Sequence, residues 1–300
     1  MKLSIKGVIP PMVTPLLENM ELDLSGLEKL IEHLLKGGVH GIFLLGTNGE
    51  GPSLSHGLRK QLISEASRMV DGRVPILVGI TDTSMMGTLE IADHAAKVGA
   101  DGLVVAPPYY FPISQDEMVK YLEVLIPNLS LPFLLYDIPS CTKLHLSLQT
   151  IKEAKELGAI GIKDSSGDLT ALYALIEEFK GSPEFSIIAG AELFLPETII
   201  YGGHGVVAGG ANIFPKLFVD LYEASCACDF DRIKSLREKV LQLHHKVYTL
   251  DDSSTSSIKV IKATLEHMGI CNGHMAPPLC RLGVKEHEKL KEYLHRHTFD

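Results

Sequence analysis

The sequence predicts an α/β fold in which eight parallel strands close into a (β/α)8 TIM barrel, and three observations carry that prediction. Short runs rich in Val, Ile and Leu alternate with longer helical patterns over most of the 300 residues, the mark of repeated βα units on a parallel sheet. The strand-like runs are residues 7–13, 41–45, 74–80, 102–106, 132–137, 159–163, 185–189 and 205–208. One marker per run, from Val8 to Val206, gives intervals of 34, 34, 27, 30, 27, 26 and 20 positions. Each interval holds a strand, a helix and two short loops. The sign of the competing open, doubly wound sheet, G-x-G-x-x-G after the first strand, is missing, because residues 7–15 carry three prolines instead. Closure into a barrel buries every strand on both faces and leaves no free edge.

The helices between the strands follow from apolar spacing and capping. Residues 23–36 repeat apolar side chains at three- and four-residue steps and stop at Gly37-Gly38. Residues 55–69, 84–98, 114–126, 147–157 and 168–179 behave in the same way, with Ser or Asp placed to cap the first turn. Beyond residue 226 the strand pattern ends, and 229–248, 254–267 and 285–295 read as helices. The expected organisation is a barrel over 1–226 and a helical extension over 227–300 that packs on it as one structural unit, with 251–257 as a polar connection.

Composition excludes several classes of function. Hydrophobic residues make up 45% and charged residues 22%, and no apolar run approaches 18 residues, so no membrane span is expected. The N-terminal residues lack the apolar core and small-residue cleavage site of a signal peptide, which points to the cytoplasm. The net charge of −9 is spread along the chain without a basic stripe, so nucleic acid is not an expected partner. Five cysteines without C-x-x-C spacing suggest neither a disulfide framework nor a zinc site. Cys226 and Cys228 are expected as half-buried thiols of one helix. The 13 histidines show no ligand spacing, and His244 and His245 are expected to face different ways, so no metal is expected.

In a parallel barrel the chemistry lies at the C-terminal ends of the strands. Those ends carry Gly46-Thr47-Asn48-Gly49-Glu50-Gly51, Tyr109-Tyr110, Tyr136-Asp137, Lys163, Gly190-Ala191-Glu192, and Val207 followed by Gly209-Gly210. Singly, each has a plain structural role: a tight glycine turn, a packed tyrosine, a glutamate in a first helical turn, or an ion pair between Lys163 and Asp164. Together they put an amine, up to three phenols, a hydroxyl and a glycine-rich loop at one mouth, a set that packing does not require. The set suits Schiff-base chemistry on a small 2-oxo acid, for which the lysine itself is the covalent group and no separate cofactor is needed. A free lysine titrates near about 10.4, so the site must desolvate Lys163 to make it a nucleophile. Tyr136 is placed as general acid and base, with Thr47 and a second tyrosine relaying the proton. The backbone N–H groups of residues 46–49 suit a carboxylate.

Several motifs, as they stand, resemble the dihydrodipicolinate synthase and N-acetylneuraminate lyase family of pyruvate-dependent class I aldolases. They are Gly-Thr-Asn-Gly-Glu50, Pro-Tyr-Tyr110, Tyr-Asp-Ile-Pro139, Gly-Ile-Lys-Asp164 and Gly-Gly-His-Gly205, in that order and spacing. The resemblance implies a homotetramer built as a dimer of dimers. It also implies Lys163 as the Schiff-base lysine, Tyr136 as the acid/base, Thr47 and Asn48 as ligands of the pyruvate carboxylate, and Tyr110 reaching into the neighbouring subunit's site. Two departures narrow the substrate. Where the synthase branch resembles Tyr-Asn-Val-Pro-Ser-Arg-Thr-Gly, this chain has Cys141, which cannot replace the bidentate arginine, so a second carboxylate would depend on Lys143 as a point charge. The sialic-acid branch has paired acidic residues after the seventh strand and a serine after the eighth, whereas here Glu192 precedes Leu193 and Gly209 holds the serine position. Gly190, Glu192, Val207, Cys141 and Lys143 are thus the candidate contacts that set specificity. The expected activity is retro-aldol release of pyruvate from a 2-keto-3-deoxy sugar acid or 4-hydroxy-2-oxoglutarate. The alternatives are 4-hydroxy-tetrahydrodipicolinate synthase or N-acetylneuraminate lyase activity, a phosphate-binding isomerase using Gly209-Gly210, and an inactive barrel that binds a 2-oxo acid.

Overall fold

Prolines decide how the barrel closes. The computed structural model describes Leu3 and residues 5–296. Eight parallel strands, β1 (Gly7–Val8), β2 (Ile42–Leu44), β3 (Ile76–Gly79), β4 (Gly102–Val105), β5 (Phe133–Asp137), β6 (Gly161–Asp164), β7 (Ser186–Ala189) and β8 (Gly205–Val206), form one sheet in the order β1-β8-β7-β6-β5-β4-β3-β2. The seam between β1 and β2 is a parallel bridge at Pro11 and Phe43. Phe43 N donates to Pro10 O at 3.0 Å, and Met12 N donates to Phe43 O at 2.9 Å. Pro10 and Pro11 have no N–H to give a regular ladder, so β1 is shorter than the 7–13 run read from the sequence.

Side chains alternate between two apolar layers. One lies inside the barrel, with Ile5, Ile9, Phe43, Leu77, Val104, Leu134, Ile188 and Val207. The other lies between the strands and the surrounding helices, with Ile42, Val78, Leu103, Leu135, Ile162 and Ile187 among its members. On β6 this alternation sends Ile162 outward and Lys163 inward.

The outer layer comprises α1 (Leu24–Lys36), α2 (His56–Val70), α3 (Met85–Lys97), α4 (Gln115–Leu125), the short α5 (Pro139–Thr142), α6 (Leu148–Glu156), α7 (Leu169–Phe179), α8 (Leu195–Ile200) and α9 (Pro215–Cys226). In the six barrel helices read from the sequence, where a Ser or Asp cap is expected at five, all six are capped in this way: Asp23, Ser55, Ser84, Ser114, Ser147 and Asp168 each accept a backbone N–H of the first turn through the side chain. Such a cap is worth about 1 kcal/mol. α9 ends at Cys226, and Cys228 lies beyond it at φ 53°. Both thiols are exposed rather than half-buried on one helix. The left-handed turn at Cys228 takes that residue off the helix, and Cys226 lies on its exposed face.

The C-terminal segment contributes α10 (Phe230–Gln242), a five-residue π turn (Leu243–Val247), α11 (Ser256–His267) and α12 (Val284–Arg296). α11 is buried along most of its length. Lys262 on its inner face is fully buried and forms an ion pair with Glu50, also without exposed side-chain surface, in the loop after β2. Glu50 Oε2 accepts the Ala276 N–H at 2.7 Å. The loop carrying Thr47 and Asn48 is therefore clamped from outside the barrel by the C-terminal segment.

Candidate active site

Lys163 and Tyr136 are register partners on adjacent strands, both pointing into the barrel. Lys163 is 6% exposed, and its stem stands on the apolar floor made by Ile5, Ile9, Phe43, Leu77, Leu134 and Ile188. Its Nζ lies 3.6 Å from the centroid of the Tyr136 ring and 5.2 Å from that of Phe43. Burial pushes the ammonium pKa down from the ordinary 10.5, and the groups that oppose this are the Tyr136 phenol and the Cys141 thiol, not a carboxylate. Asp164 does not serve as the partner. It faces the outer layer, where its Oδ1 accepts the Ser166 N–H at 2.8 Å.

Tyr136 Oη and Thr47 Oγ1 are 3.1 Å apart. Thr47 is held by the loop after β2, which is fixed on the barrel side as well: Thr14 Oγ1 donates to Gly49 O at 2.6 Å. Asn212, fully buried, ties the ends of β1 and β8 together, with Nδ2 donating to Pro11 O and Gly209 O and Oδ1 accepting the Val13 N–H.

Two cavities open on either side of Tyr136, Thr47 and Ile138. The one that reaches Lys163 has a volume of about 230 Å³ and is bounded by Asn48, Ser165, Gly190, Glu192, Val207 and Gly209, with His244, Tyr248, Ser257 and Ile261 from the C-terminal segment. The other, about 380 Å³ and more apolar, is bounded by Tyr109, Cys141, Glu50, Arg59, Thr255 and Ile258 and does not touch Lys163. Of the two, only the smaller cavity brings the amine, the phenol and polar wall groups together.

Two glycines make room in the smaller cavity. A Cβ on Gly190 would stand 1.8 Å from Ser165 Oγ and 2.9 Å from Asp164 O. A Cβ on Gly209 would stand 2.7 Å from Asn48 Nδ2, so the glycine in the serine position keeps the Asn48 amide at the cavity edge. Glu192, 5% exposed, accepts the Gly210 N–H at 2.7 Å through Oε2. Its Oε1 lies 3.1 Å from His244 Nε2. The His244 and Tyr248 rings meet edge to face at 5.0 Å.

Of the residues singled out in the sequence, the structure brings together Lys163, Tyr136, Thr47, Asn48, Gly190, Glu192 and Val207 around one cavity. Cys141 lines the neighbouring one. Lys143 borders neither, because its Nζ donates to Tyr110 O at 3.0 Å. Tyr110 is 68% exposed and packs edge-on against Phe111; Tyr109, not Tyr110, faces a cavity of its own chain. His244 and Tyr248 were not legible as site residues, since nothing in their local sequence separates them from the polar face of a helix. Among the described residues no group of three or more His, Cys, Asp or Glu side chains is placed to hold a metal ion. No described helix is long and apolar enough to cross a membrane.

The chain matches the model of the dihydrodipicolinate synthetase family over residues 4–297. It is 41% identical to dihydrodipicolinate synthase from Bacteroides thetaiotaomicron, whose solved structure superposes with a TM-score of 0.95 over 99% of this chain and 100% of that one. It is 33% identical to the putative 2-dehydro-3-deoxy-D-gluconate aldolase YagE of Escherichia coli, over 96% of this chain and 95% of YagE. The YagE structure in complex with pyruvate superposes with a TM-score of 0.92 at 32% identity, covering 98% of this chain and 99% of that one. The 4-hydroxy-tetrahydrodipicolinate synthase of Methanopyrus kandleri is 34% identical over 99% of this chain and 96% of its own length. On the fold, the ordered motifs and these matches, the chain belongs to the dihydrodipicolinate synthetase family.

Proposed function

We propose that the chain is a carbon–carbon lyase that releases pyruvate from a 2-keto-3-deoxy sugar acid through a Schiff base on Lys163. The observation that carries this reading is a buried lysine without a carboxylate partner among the described residues, 3.6 Å from the ring of a tyrosine whose hydroxyl meets Thr47. Desolvation favours the neutral amine, which attacks the C2 carbonyl; the hydroxyl of the carbinolamine leaves as water with the proton of Tyr136, giving an iminium beside a tyrosinate. The C3–C4 bond then breaks with its electron pair moving into the iminium to give an enamine, while the C4 hydroxyl proton passes to Tyr136 and the aldehyde departs. Protonation of the enamine at C3 and hydrolysis free pyruvate and regenerate the amine. Thr47 holds the Tyr136 hydroxyl in line for these transfers. Asn48 and the loop backbone hold the carboxylate of the oxo acid.

The name of YagE supports the sugar-acid reading. Synthase activity has several relatives in its favour. Against it stand Cys141 in the place of an arginine and Lys143 bonded to the Tyr110 carbonyl instead of turned to either cavity. A cavity of about 230 Å³ lies below the roughly 300–1,000 Å³ of sites for drug-sized ligands, which suits a short acid better than a nine-carbon sialate. In the same reading the active form is a homotetramer, and the exposed Tyr110 completes the site of a neighbouring subunit. Incubation with pyruvate and borohydride tests the core of the proposal. A reduced covalent adduct on Lys163 is expected, and none in Lys163→Ala; an unaltered chain that forms no adduct would refute it.

A further inference from the structure

Two histidines close the barrel at the N-terminal ends of its strands in the same way. Gly38-Val39-His40-Gly41 leads into β2 and Gly202-Gly203-His204-Gly205 into β8. The His40 N–H donates to Val8 O at 2.9 Å, and its Nδ1 accepts the Val8 N–H at 3.1 Å. The His204 N–H donates to Ile187 O at 2.8 Å, and its Nδ1 accepts the Ile187 N–H at 3.1 Å. One residue thus meets both main-chain groups of a neighbouring strand, with a ring nitrogen where a ladder has a carbonyl. His40 ties β1 to β2, its ring lying over Gly7, where a Cβ would stand 2.3 Å from Cγ. His204 ties β8 to β7. β1 and β8 are two residues each and pair with one another, so the two rings hold that pair from both flanks. Asp101 makes the same closure between β3 and β4, its N–H donating to Ile76 O at 3.0 Å and its Oδ2 accepting the Ile76 N–H at 2.8 Å.

The three acceptors differ in one respect. A carboxyl group keeps an acceptor oxygen whether or not it is ionised, whereas Nδ1 accepts only in a neutral imidazole that carries its proton on Nε2. In imidazolium both nitrogens are donors, so protonation sets N–H against N–H at each flank. Burial lowers the pKa of both rings below the ordinary 6.5, and the closed barrel therefore favours the neutral form. Around His40, Glu223 of α9 opposes burial, Lys6 ahead of β1 reinforces it, and Tyr222 of α9 meets the ring edge-on at 5.0 Å. Burial alone acts on His204.

We propose that His40 and His204 form an acid-released clasp: protonation of the two imidazoles frees the β1–β8 pair from β2 and β7, while the Asp101 closure between β3 and β4 holds. Pro11, which follows β1, and Val207 and Gly209, which follow β8, bound the Lys163 cavity, so release loosens one wall of the site. The unfolded chain binds these protons more strongly than the folded one, and the linked stability is lost as pH falls from 6.5 toward the lowered values. Residue-resolved hydrogen–deuterium exchange, corrected for the intrinsic rate, tests the clasp. Between about pH 8 and about pH 5 in the unaltered chain, protection at Val8 and Ile187 should fall at least about fivefold more than at Ile76. His40→Asn and His204→Asn keep an acceptor oxygen but do not titrate, and each should remove at least about half of that extra loss at its own strand. Because the readout is a pH dependence, a uniform loss of stability from the smaller side chain cancels. An equal loss at the three amides of the unaltered chain, or an extra loss that persists in the folded variants, would overturn the clasp.

Discussion

Replacing Lys262 by methionine isolates the clamp between the C-terminal segment and the catalytic loop. Lys262 and Glu50 have no exposed side-chain surface, so the pair is fully removed from water. Burial lowers the Lys262 pKa, and the Glu50 carboxylate opposes that effect. Methionine fills much the same volume but leaves Glu50 as a buried anion with only the Ala276 N–H at 2.7 Å to satisfy it. Breaking a buried pair in this way costs about 3–5 kcal/mol, or a fall in melting temperature of roughly 6–10 °C at about 2 °C per kcal/mol for a large domain. Glu50 lies three positions beyond Thr47, so the rate of pyruvate trapping on Lys163 should fall as well, even well below the melting temperature. The double variant Glu50→Gln/Lys262→Met no longer buries a charge and should recover at least about 1.5 kcal/mol relative to Lys262→Met. Chemical denaturation of the two variants and the parent measures both quantities. A loss below about 1 kcal/mol in Lys262→Met, or a double variant weaker than the single one, would show that the pair does not lock the loop.

Three further outcomes are expected. Because burial lowers the Lys163 pKa, the unfolded chain binds this proton more strongly than the folded one. Stability linked to Lys163 therefore rises with pH from the lowered value up to about 10.5, and the deficit of the parent relative to Lys163→Met should shrink before pH 10.5 is reached; a deficit that stays constant all the way to about 10.5 argues against a depressed pKa. The trapping rate should likewise inflect below 10.5. Gly190→Ala should cost about 1–3 kcal/mol and slow turnover, because its Cβ would strike Ser165 Oγ and the Asp164 carbonyl; parental stability and kcat would show that the end of β6 yields freely. Mixed oligomers of Tyr110→Phe and Tyr136→Phe chains should regain part of the activity lost in each, and verified mixtures with no gain would place Tyr110 outside the partner's site.

Local patterns carried most of the architecture. Apolar runs and Ser or Asp caps marked all eight strands and six of the barrel helices, and apolar spacing marked the three helices of the C-terminal segment, since those signals lie within a dozen residues of one another. The first strand was read too long because Pro10 and Pro11 sit in extended chain without a donor for the ladder. α8, six residues long, falls below the length at which periodicity speaks. For the site, strand ends gave Lys163, Tyr136 and Thr47 directly, because the position of a residue in a barrel strand fixes where its side chain points. Lys143 and Tyr110 followed another logic: a left-handed residue at φ 64° turns the lysine toward the Tyr110 carbonyl, a choice invisible in the sequence. His244 and Tyr248 reach Glu192 across more than fifty positions, and only tertiary packing brings them there.

The π turn before Tyr248 gives that packing an unusual handle. A helix advances by about 100° per residue, and a π turn accommodates one residue more than an α-helical turn would. Deleting a single residue from 243–247 would restore the regular hydrogen-bond ladder with the flanking segments in register, while changing which of the side chains in the turn faces the cavity. The amine and its proton relay sit on strands that this change leaves in place. Insertions and deletions of one residue in this turn therefore redraw the outer wall of the cavity while leaving Lys163 and Tyr136 where they stand.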